Sequence, residues 1–348
     1  MDKLFIALLV FVPLAIGAAF AGASPVIVFF LSAIAIVPLA KYIGESTAEL
    51  ATKTTPVIGG LLNATFGNAT ELVIGVFALR AGLFEVVKAS ITGSIIGNLL
   101  LVLGAAMLAG GWSREKQLFN RTGILAQGST LFVATIALIV PAIFFQTAGA
   151  SGPPPVEMLS VLVALVLIFM YGADLVFSLY THKHLYLEDV GNVGPRWSTA
   201  RAVATLLVAM AAVAWVSEVL VGSIEPLLAR LGWSPLFVGV IVVAVVGNAA
   251  EHFSAIIVAR KNRMDLALQI SIGSATQIAL VVAPALVLLG AGLGQPMDLI
   301  FNTFELVAMV LAVLIVNFVI QDGESNWLEG LQLLAAYAIM AIAFYLHP

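Results

Sequence analysis

Cysteine is absent from the 348 residues, and charged residues make up only 10% of them, against 61% hydrophobic. The missing thiols leave no marker of redox compartment. The scarcity of charge decides more, because a soluble domain of this length needs far more polar surface. Two signatures of intramembrane proteolysis are also missing: there is no H-E-x-x-H, and no G-x-G-D with a paired aspartate, since Asp174 in Tyr171-Gly172-Ala173-Asp174 stands alone. An enzyme is therefore not expected. His182 and His184, two apart in a loop, read as a surface feature rather than a metal site. The formal charge of −4 says little about partners, and no nucleic-acid partner is expected.

What the chain does contain is a series of apolar stretches of about 20 residues, the length at which a helix crosses the hydrocarbon core. They read as eleven transmembrane helices, near 4 to 21, 25 to 44, 56 to 79, 86 to 110, 122 to 146, 156 to 180, 200 to 224, 235 to 259, 266 to 290, 298 to 320 and 327 to 346. None alternates in and out as barrel strands do, and such strands need only ~10 residues. The first stretch, with Lys3 ahead of it and Gly22, Ala23 and Ser24 after it, has some look of a signal peptide. Its run exceeds the usual ~7 to 15 apolar residues, so it reads as a leading membrane helix. An all-α integral membrane protein embedded in a lipid bilayer follows. Lys3, Lys41, Lys53, Arg114, Lys116, Arg121, Lys183, Arg196, Arg201, Arg260, Lys261 and Arg263 fall on one side, leaving Arg80, Lys88 and Arg230 on the other. That bias puts the amino terminus in the cytoplasm. The odd number of crossings then leaves the carboxyl terminus outside.

Gly67-Asn68-Ala69-Thr70-Glu71 returns as Gly247-Asn248-Ala249-Ala250-Glu251, 180 positions later. Residues 59 to 104 align with 239 to 284 without a gap, and 11 of the 46 pairs are identical, among them Gly59/Gly239, Arg80/Arg260, Gly93/Gly273 and Ser94/Ser274. The matches gather at glycine and polar positions, whereas membrane sequence agrees by chance mainly at Leu, Val and Ala. Helices 2 to 6 therefore correspond to helices 7 to 11. Five is odd, so the second copy enters the membrane from the opposite face, and an inverted repeat places its site near the midplane where the copies meet. The expected division is a leading helix (1–24), a first five-helix repeat (25–180), a cytoplasmic linker (181–199) carrying His182, Lys183, His184, Glu188, Asp189 and Pro195, and a second, inverted repeat (200–348). A Gly/Pro-rich external loop, Gly149 to Pro155, joins helices 5 and 6.

A glutamate in hydrocarbon is costly unless it faces a cavity, an ion or a partner, which makes Glu71 and Glu251 the leading functional candidates. Asn68 and Asn248 precede them by three residues, hence on the same helical face. Gly67 and Gly247 weaken the helix just before these side chains, and local unwinding would turn carbonyls toward the same cavity. Such oxygens suit a hard cation, and two carboxylates balance one divalent charge, which points to calcium over magnesium or zinc. The bland alternative is a pair of buried glutamates satisfied by Asn, Ser or Thr. Ser94 and Asn98 on helix 4, and Ser274, Thr276 and Gln277 on helix 9, either complete the ligand set or join closely packed helices by hydrogen bonds. Two desolvated carboxylates near one another invite protonation, so protons and calcium compete for the same oxygens. His252, whose counterpart is Leu72, either relays protons or bonds a backbone carbonyl. Glu45 and Glu225 lie at symmetry-related helix ends as entrance or proton-path candidates, or as solvated termini. Asp174, Glu218 and Glu305 are further proton-path candidates with structural pairing as the alternative. Asp322, Glu324 and Glu329 form an acidic loop that attracts cations or is simply solvated.

G-N-A-T-E-L at 67 to 72, G-N-A-A-E-H at 247 to 252, G-S-I-I-G-N at 93 to 98 and G-S-A-T-Q-I-A-L at 273 to 280 resemble the calcium/proton exchangers, the CAX family of the cation/calcium exchanger superfamily. The likeness extends to Ser217-Glu218-Val219-Leu220, Asp322-Gly323-Glu324-Ser325-Asn326-Trp327 and Thr181-His182-Lys183-His184. The resemblance implies one leading helix plus two inverted five-helix repeats, with calcium held by Glu71 and Glu251. Asn68, Asn248, Ser94, Ser274 and Gln277 match positions the family associates with the site. It also implies that helices 2 and 7 slide as a gating pair, that homo-oligomers form in some members, and that calcium and protons are transported substrates with no cofactor. The short, mildly acidic linker departs from the long acidic insert of some eukaryotic members and favours a prokaryotic plasma membrane.

The alternatives are a sodium/calcium exchanger of the same superfamily and a passive cation channel. Sodium-coupled proteins typically carry Asn or Asp where Gln277 stands, so Gln277 and His252 lean toward protons. A buried pair of opposed carboxylates favours a closed, alternating site over a continuous pore.

Overall fold

Proline and capping residues set where many of the helices begin. In a computed structural model, which describes residues 2–148, 155–182, 185 and 196–347, α1 (Lys3–Phe20) is followed by α2 (Pro25–Ala51), whose proline occupies the first turn, where a missing N–H costs nothing. Thr55 caps α3 (Pro56–Phe66) through Ile58 N, and Asn68 begins α4 (Ala69–Arg80). Then come α5 (Phe84–Gly111), α6 (Arg121–Ala148) and α7 (Val156–Thr181). Ser198 caps α8 (Thr199–Gly222), which leads into the short α9 (Ile224–Leu231). Ser234 caps α10 (Pro235–Gly247), which bends by 59° into α11 (Ala249–Arg260). Last are α12 (Met264–Gly292), α13 (Thr303–Val319) and α14 (Trp327–Leu346), the last two opened by reciprocal Asn302–Glu305 and Asn326–Glu329 capping boxes.

Among the described residues, eight helices are long and apolar enough to cross a membrane, or nine if the bent pair is one span. The only strands there are β1 (Gln117–Leu118) and β2 (Glu324–Ser325), paired antiparallel with Gln117 opposite Ser325. The protein is thus all-α, with large apolar side chains such as Phe169, Leu207, Val208, Phe318 and Ile339 left exposed on its outside, as a hydrocarbon solvent requires.

Several boundaries differ from the sequence reading. The second helix continues to Ala51, so Glu45 lies inside it and pairs with Lys41 one turn back at 2.7 Å rather than ending a helix. Residues 298–302 are not helical, because the Asn302 cap starts α13 at Thr303. The first helix is irregular at Leu9–Val10: Pro13 has no N–H for the Leu9 carbonyl, which Val12 takes instead. The stretches expected at 56 to 79 and 235 to 259 each break in two, at Asn68 and Asn248. Most of the linker and the loop at 149–154 lie outside the described residues, including Lys183, His184, Glu188, Asp189 and Pro195.

α5 and α12 form the buried centre of the bundle. Each contains one widened, i→i+5 turn, at Gly97–Val102 and Ile278–Val282, whose last residues again differ by 180. The turns after α4 and α11 also match bond for bond. Leu83 N reaches Ala78 O and Gly82 N reaches Leu79 O, as Arg263 N reaches Val258 O and Asn262 N reaches Ala259 O. The left-handed residue is Gly82 (φ 76°) in one and Asn262 (φ 61°) in the other. Asparagine is among the few residues that tolerate this region.

Candidate cation site

Two helix breaks face the bundle centre. Asn68 (φ −106°, ψ 30°) separates α3 from α4, and Asn248 (φ −89°, ψ 13°) separates α10 from α11. Both hold the N-cap position, yet neither side chain caps its helix, because both amides are engaged between helices. The glycines before them stand where the chain approaches a neighbour closely, most tightly at Gly67. A Cβ on Gly67 would stand 2.5 Å from the Asn63 carbonyl, and one on Gly247 would stand 3.2 Å from Cγ of Glu71. Each break leaves Glu71 or Glu251 in the first turn of the following helix, where the positive end of the helix dipole favours a carboxylate.

The amides form one chain of hydrogen bonds across four helices. Asn68 Nδ2 donates to Gln277 Oε1 (2.7 Å), and Ser274 Oγ donates to Asn68 Oδ1 (3.1 Å). Asn98 Nδ2 donates to Ser274 Oγ (3.0 Å) and to Asn248 Oδ1 (2.9 Å), while Asn248 Nδ2 donates to Ser94 Oγ (2.8 Å) and to the Ala244 carbonyl (2.8 Å). Six of the polar residues singled out in the sequence therefore converge. The carboxylates are outside this network. Neither oxygen of Glu71 has a hydrogen-bond partner in another residue, and Oε2 of Glu251 has none either. The charges of the two interact. Buried, unpartnered carboxylate oxygens are costly, so this geometry suits occupancy by cations.

The two glutamates have unequal access. Glu251 lines a cavity of about 570 Å³ together with Gly44, Ala48, Gly60, Asn63, Asn68, Ser178, Leu179, Gly273, Ser274 and Gln277, toward the end of the bundle where α2 stops and α3 starts. Glu71 borders a space of only about 10 Å³ with Ser90, Ser94, Val243 and Gly247, room for roughly one water. Packing at two equivalent glycines marks the difference. A Cβ on Gly93 would collide with the main chain of Val240, so α5 and α10 are in direct contact, whereas one on Gly273 would meet nothing within 4 Å.

The other candidates are dispersed. His252 is partly buried and is not among the cavity-lining residues, and Glu218 and Glu225 are exposed on α8 and α9. Glu305 is buried as a helix cap that accepts from Asn302 N, away from both cavities. Asn98, a candidate for the ligand set, for a proton path or for joining helices, is the centre of the hydrogen-bond network. Thr276 and Asp174 line the large cavity. Sequence reasoning missed Asn63, Gln127 and Gln269 on the same wall; as polar residues inside apolar stretches they were visible but lacked a repeat partner.

Residues 24–180 and 201–346 match the sodium/calcium exchanger protein family model. The chain belongs to that family. This exchanger-family chain is 46% identical over 365 residues to the Ca(2+)/H(+) antiporter of Aphanothece halophytica, covering 100% of this chain and 97% of the relative. The structure of native YfkE superposes with a TM-score of 0.86 at 41% identity, covering 98% of this chain and 99% of YfkE. The sodium-calcium exchanger NCX_Mj, soaked with sodium, shares the fold with a TM-score of 0.56 at 17% identity, covering 95% of this chain and 99% of its own.

Proposed function

We propose that this protein is a secondary antiporter that exchanges calcium for protons, with Glu71 and Glu251 as the carboxylates on which the two cargoes compete. The observation that carries the reading is two carboxylates at matching helix breaks, with both oxygens of Glu71 and Oε2 of Glu251 buried and unpartnered, bordering unequal spaces. One divalent ion or two protons neutralises the pair, so the site crosses hydrocarbon loaded with either and pays heavily when empty. Ser94, Ser274, Asn68, Asn248 and Gln277 hold the two breaks in register and supply neutral oxygens. The near-full-length similarity to calcium/proton antiporters favours protons over sodium as the counter-ion.

The reading extends to eleven crossings arranged as a leading helix and two inverted repeats. The matched turns at Gly82 and Asn262, and the widened turns 180 residues apart, support it. The open cavity at one break and the shut space at the other then represent a state facing one side only, the cavity side being cytoplasmic by the distribution of Lys and Arg. Alternation consists of opening α10 from α5 while closing α3 onto α12. Basic residues on the cavity side do cluster, with Lys53 bound to the Trp197 carbonyl and Arg114 to the Arg260 carbonyl. The membrane is proposed to be a prokaryotic plasma membrane.

The test is calcium uptake into everted vesicles under an imposed pH gradient, acid inside. Glu71→Gln and Glu251→Gln are each expected to abolish uptake while the purified protein stays folded and monodisperse. Full transport by either variant, or uptake driven equally by sodium, would overturn the assignment.

A further inference from the structure

The cavity that reaches Glu251 carries a second carboxylate on its wall. Asp174 of α7 lines the same space, within an apolar span. Among the described residues the lining includes these two carboxylates and no Lys, Arg or His. Walls of one sign in low-dielectric surroundings raise the local concentration of the opposite charge, by about 10- to 1,000-fold.

Neutral oxygens stand beside Asp174. Tyr171, three residues earlier and so on the same helical face, lines the cavity, is 9% exposed, and its buried hydroxyl has no hydrogen-bond partner. Gln127 of the adjoining α6 lines the cavity as well, and its buried Oε1 is also unpartnered. Thr130, next along the face of α6, lies beside the Asp174 carboxyl. A carboxylate, a phenol oxygen and an amide oxygen make a set of hard donors from two packed helices. One negative charge is too little to strip a divalent ion of its water, but it suits an ion that keeps most of its hydration shell, for which the cavity has room.

We propose that Asp174, Tyr171 and Gln127 form an antechamber site for a hydrated divalent cation, held there before it reaches Glu251. The direction of travel rests on the antiport reading; the binding does not. Capture at Asp174 raises ion occupancy at the mouth of the transport site without adding a ligand to it.

Manganese(II) is the probe, followed by its paramagnetic resonance signal on purified Glu71→Gln/Glu251→Gln protein, in which the transport carboxylates are neutral. Weak, millimolar-range binding is expected to persist there, to fall at least tenfold when Asp174→Asn is added, to fall about threefold with Tyr171→Phe, and to return with Asp174→Glu. No binding in the double variant, or binding indifferent to Asp174→Asn, overturns the proposal. In vesicles, Asp174→Asn alone is expected to raise the calcium KM several-fold and to change kcat by less than twofold. An unchanged KM, or a loss confined to kcat, also overturns it. Thermal unfolding controls for folding, with Asp174→Glu and Tyr171→Phe carrying the test if Asp174→Asn does not fold. If antiport itself fails its own test, the manganese result still decides the antechamber.

Discussion

Gly93 rests against the main chain of Val240, so closely that no Cβ fits between them. The residue 180 positions later, Gly273, faces open space at the corresponding helix crossing. Gly93→Ala is therefore expected to destabilise the protein by about 1–3 kcal/mol through overpacking. Gly273→Ala is expected to fold with an unchanged thermal midpoint and yet turn over slowly, because closing that side requires the contact Gly93 makes here. Wild-type flux in Gly273→Ala would remove the argument for alternating closure.

Asn98 joins the two halves without a symmetry mate, since its counterpart is Ile278. Asn98→Ala deprives Asn248 Oδ1 and Ser274 Oγ of their donor. At ~1–3 kcal/mol for each buried group left unsatisfied, a loss of about 2–6 kcal/mol in stability is expected, together with weaker calcium binding. Thermal unfolding and calorimetry check the two effects separately.

Under the proposed exchange, protons and calcium compete for the carboxylates of Glu71 and Glu251. Lowering the pH on the cavity side should therefore raise the calcium KM, and alkaline pH should lower it, with a limiting slope of about tenfold per pH unit for each carboxylate that must give up a proton. Initial-rate uptake at fixed gradient and varied pH measures that slope. A KM flat with pH would show that the two cargoes bind different groups.

α2 and α8 are fastened at the cavity end. Glu49 Oε2 accepts from Arg196 N (2.9 Å) and Trp197 N (3.2 Å) just ahead of α8, and Lys53 donates to the Trp197 carbonyl and to Thr199 Oγ1 (3.4 Å). A cysteine pair at Lys53 and Thr199, in a chain free of native cysteine, is expected to cross-link and still transport if the two fastened helices move as one body. A pair at Asn63 and Ile270, on the cavity wall between α3 and α12, should lock transport when joined. Vesicle flux before and after reduction distinguishes these outcomes.

Lys116 and Glu324 form an exposed ion pair at 2.6 Å, and that hydrogen bond pushes the Lys116 ammonium upward. A raised pKa means that the pair's support is full at neutral pH and is lost only as the pH climbs through the alkaline range. Lys116→Gln should leave calcium uptake unchanged between pH 6 and 8, as expected for a solvent-screened pair.

The helical class and the duplicated Asn-Glu motif at 68–71 and 248–251 were legible in the residues, because hydrocarbon tolerates few polar side chains and each one stands out against the apolar background. The Asn and Ser positions converge for the same reason: buried amides must find partners. Glu45 was placed at a helix end, and Glu305 and Asn98 stayed between alternatives, because a polar residue in an apolar stretch looks the same whether it caps a helix, pairs with Lys41 or bridges two helices. Those roles depend on neighbours distant in sequence.

Composition and periodicity by themselves determined that this chain is a helical membrane protein with a duplicated carboxylate, since burial cost is local and additive along a helix. Only the tertiary structure decided which break is open. The two copies have nearly the same residues at Gly93 and Gly273, and packing one crossing tightly leaves the other parted, an asymmetry no residue in either copy encodes alone.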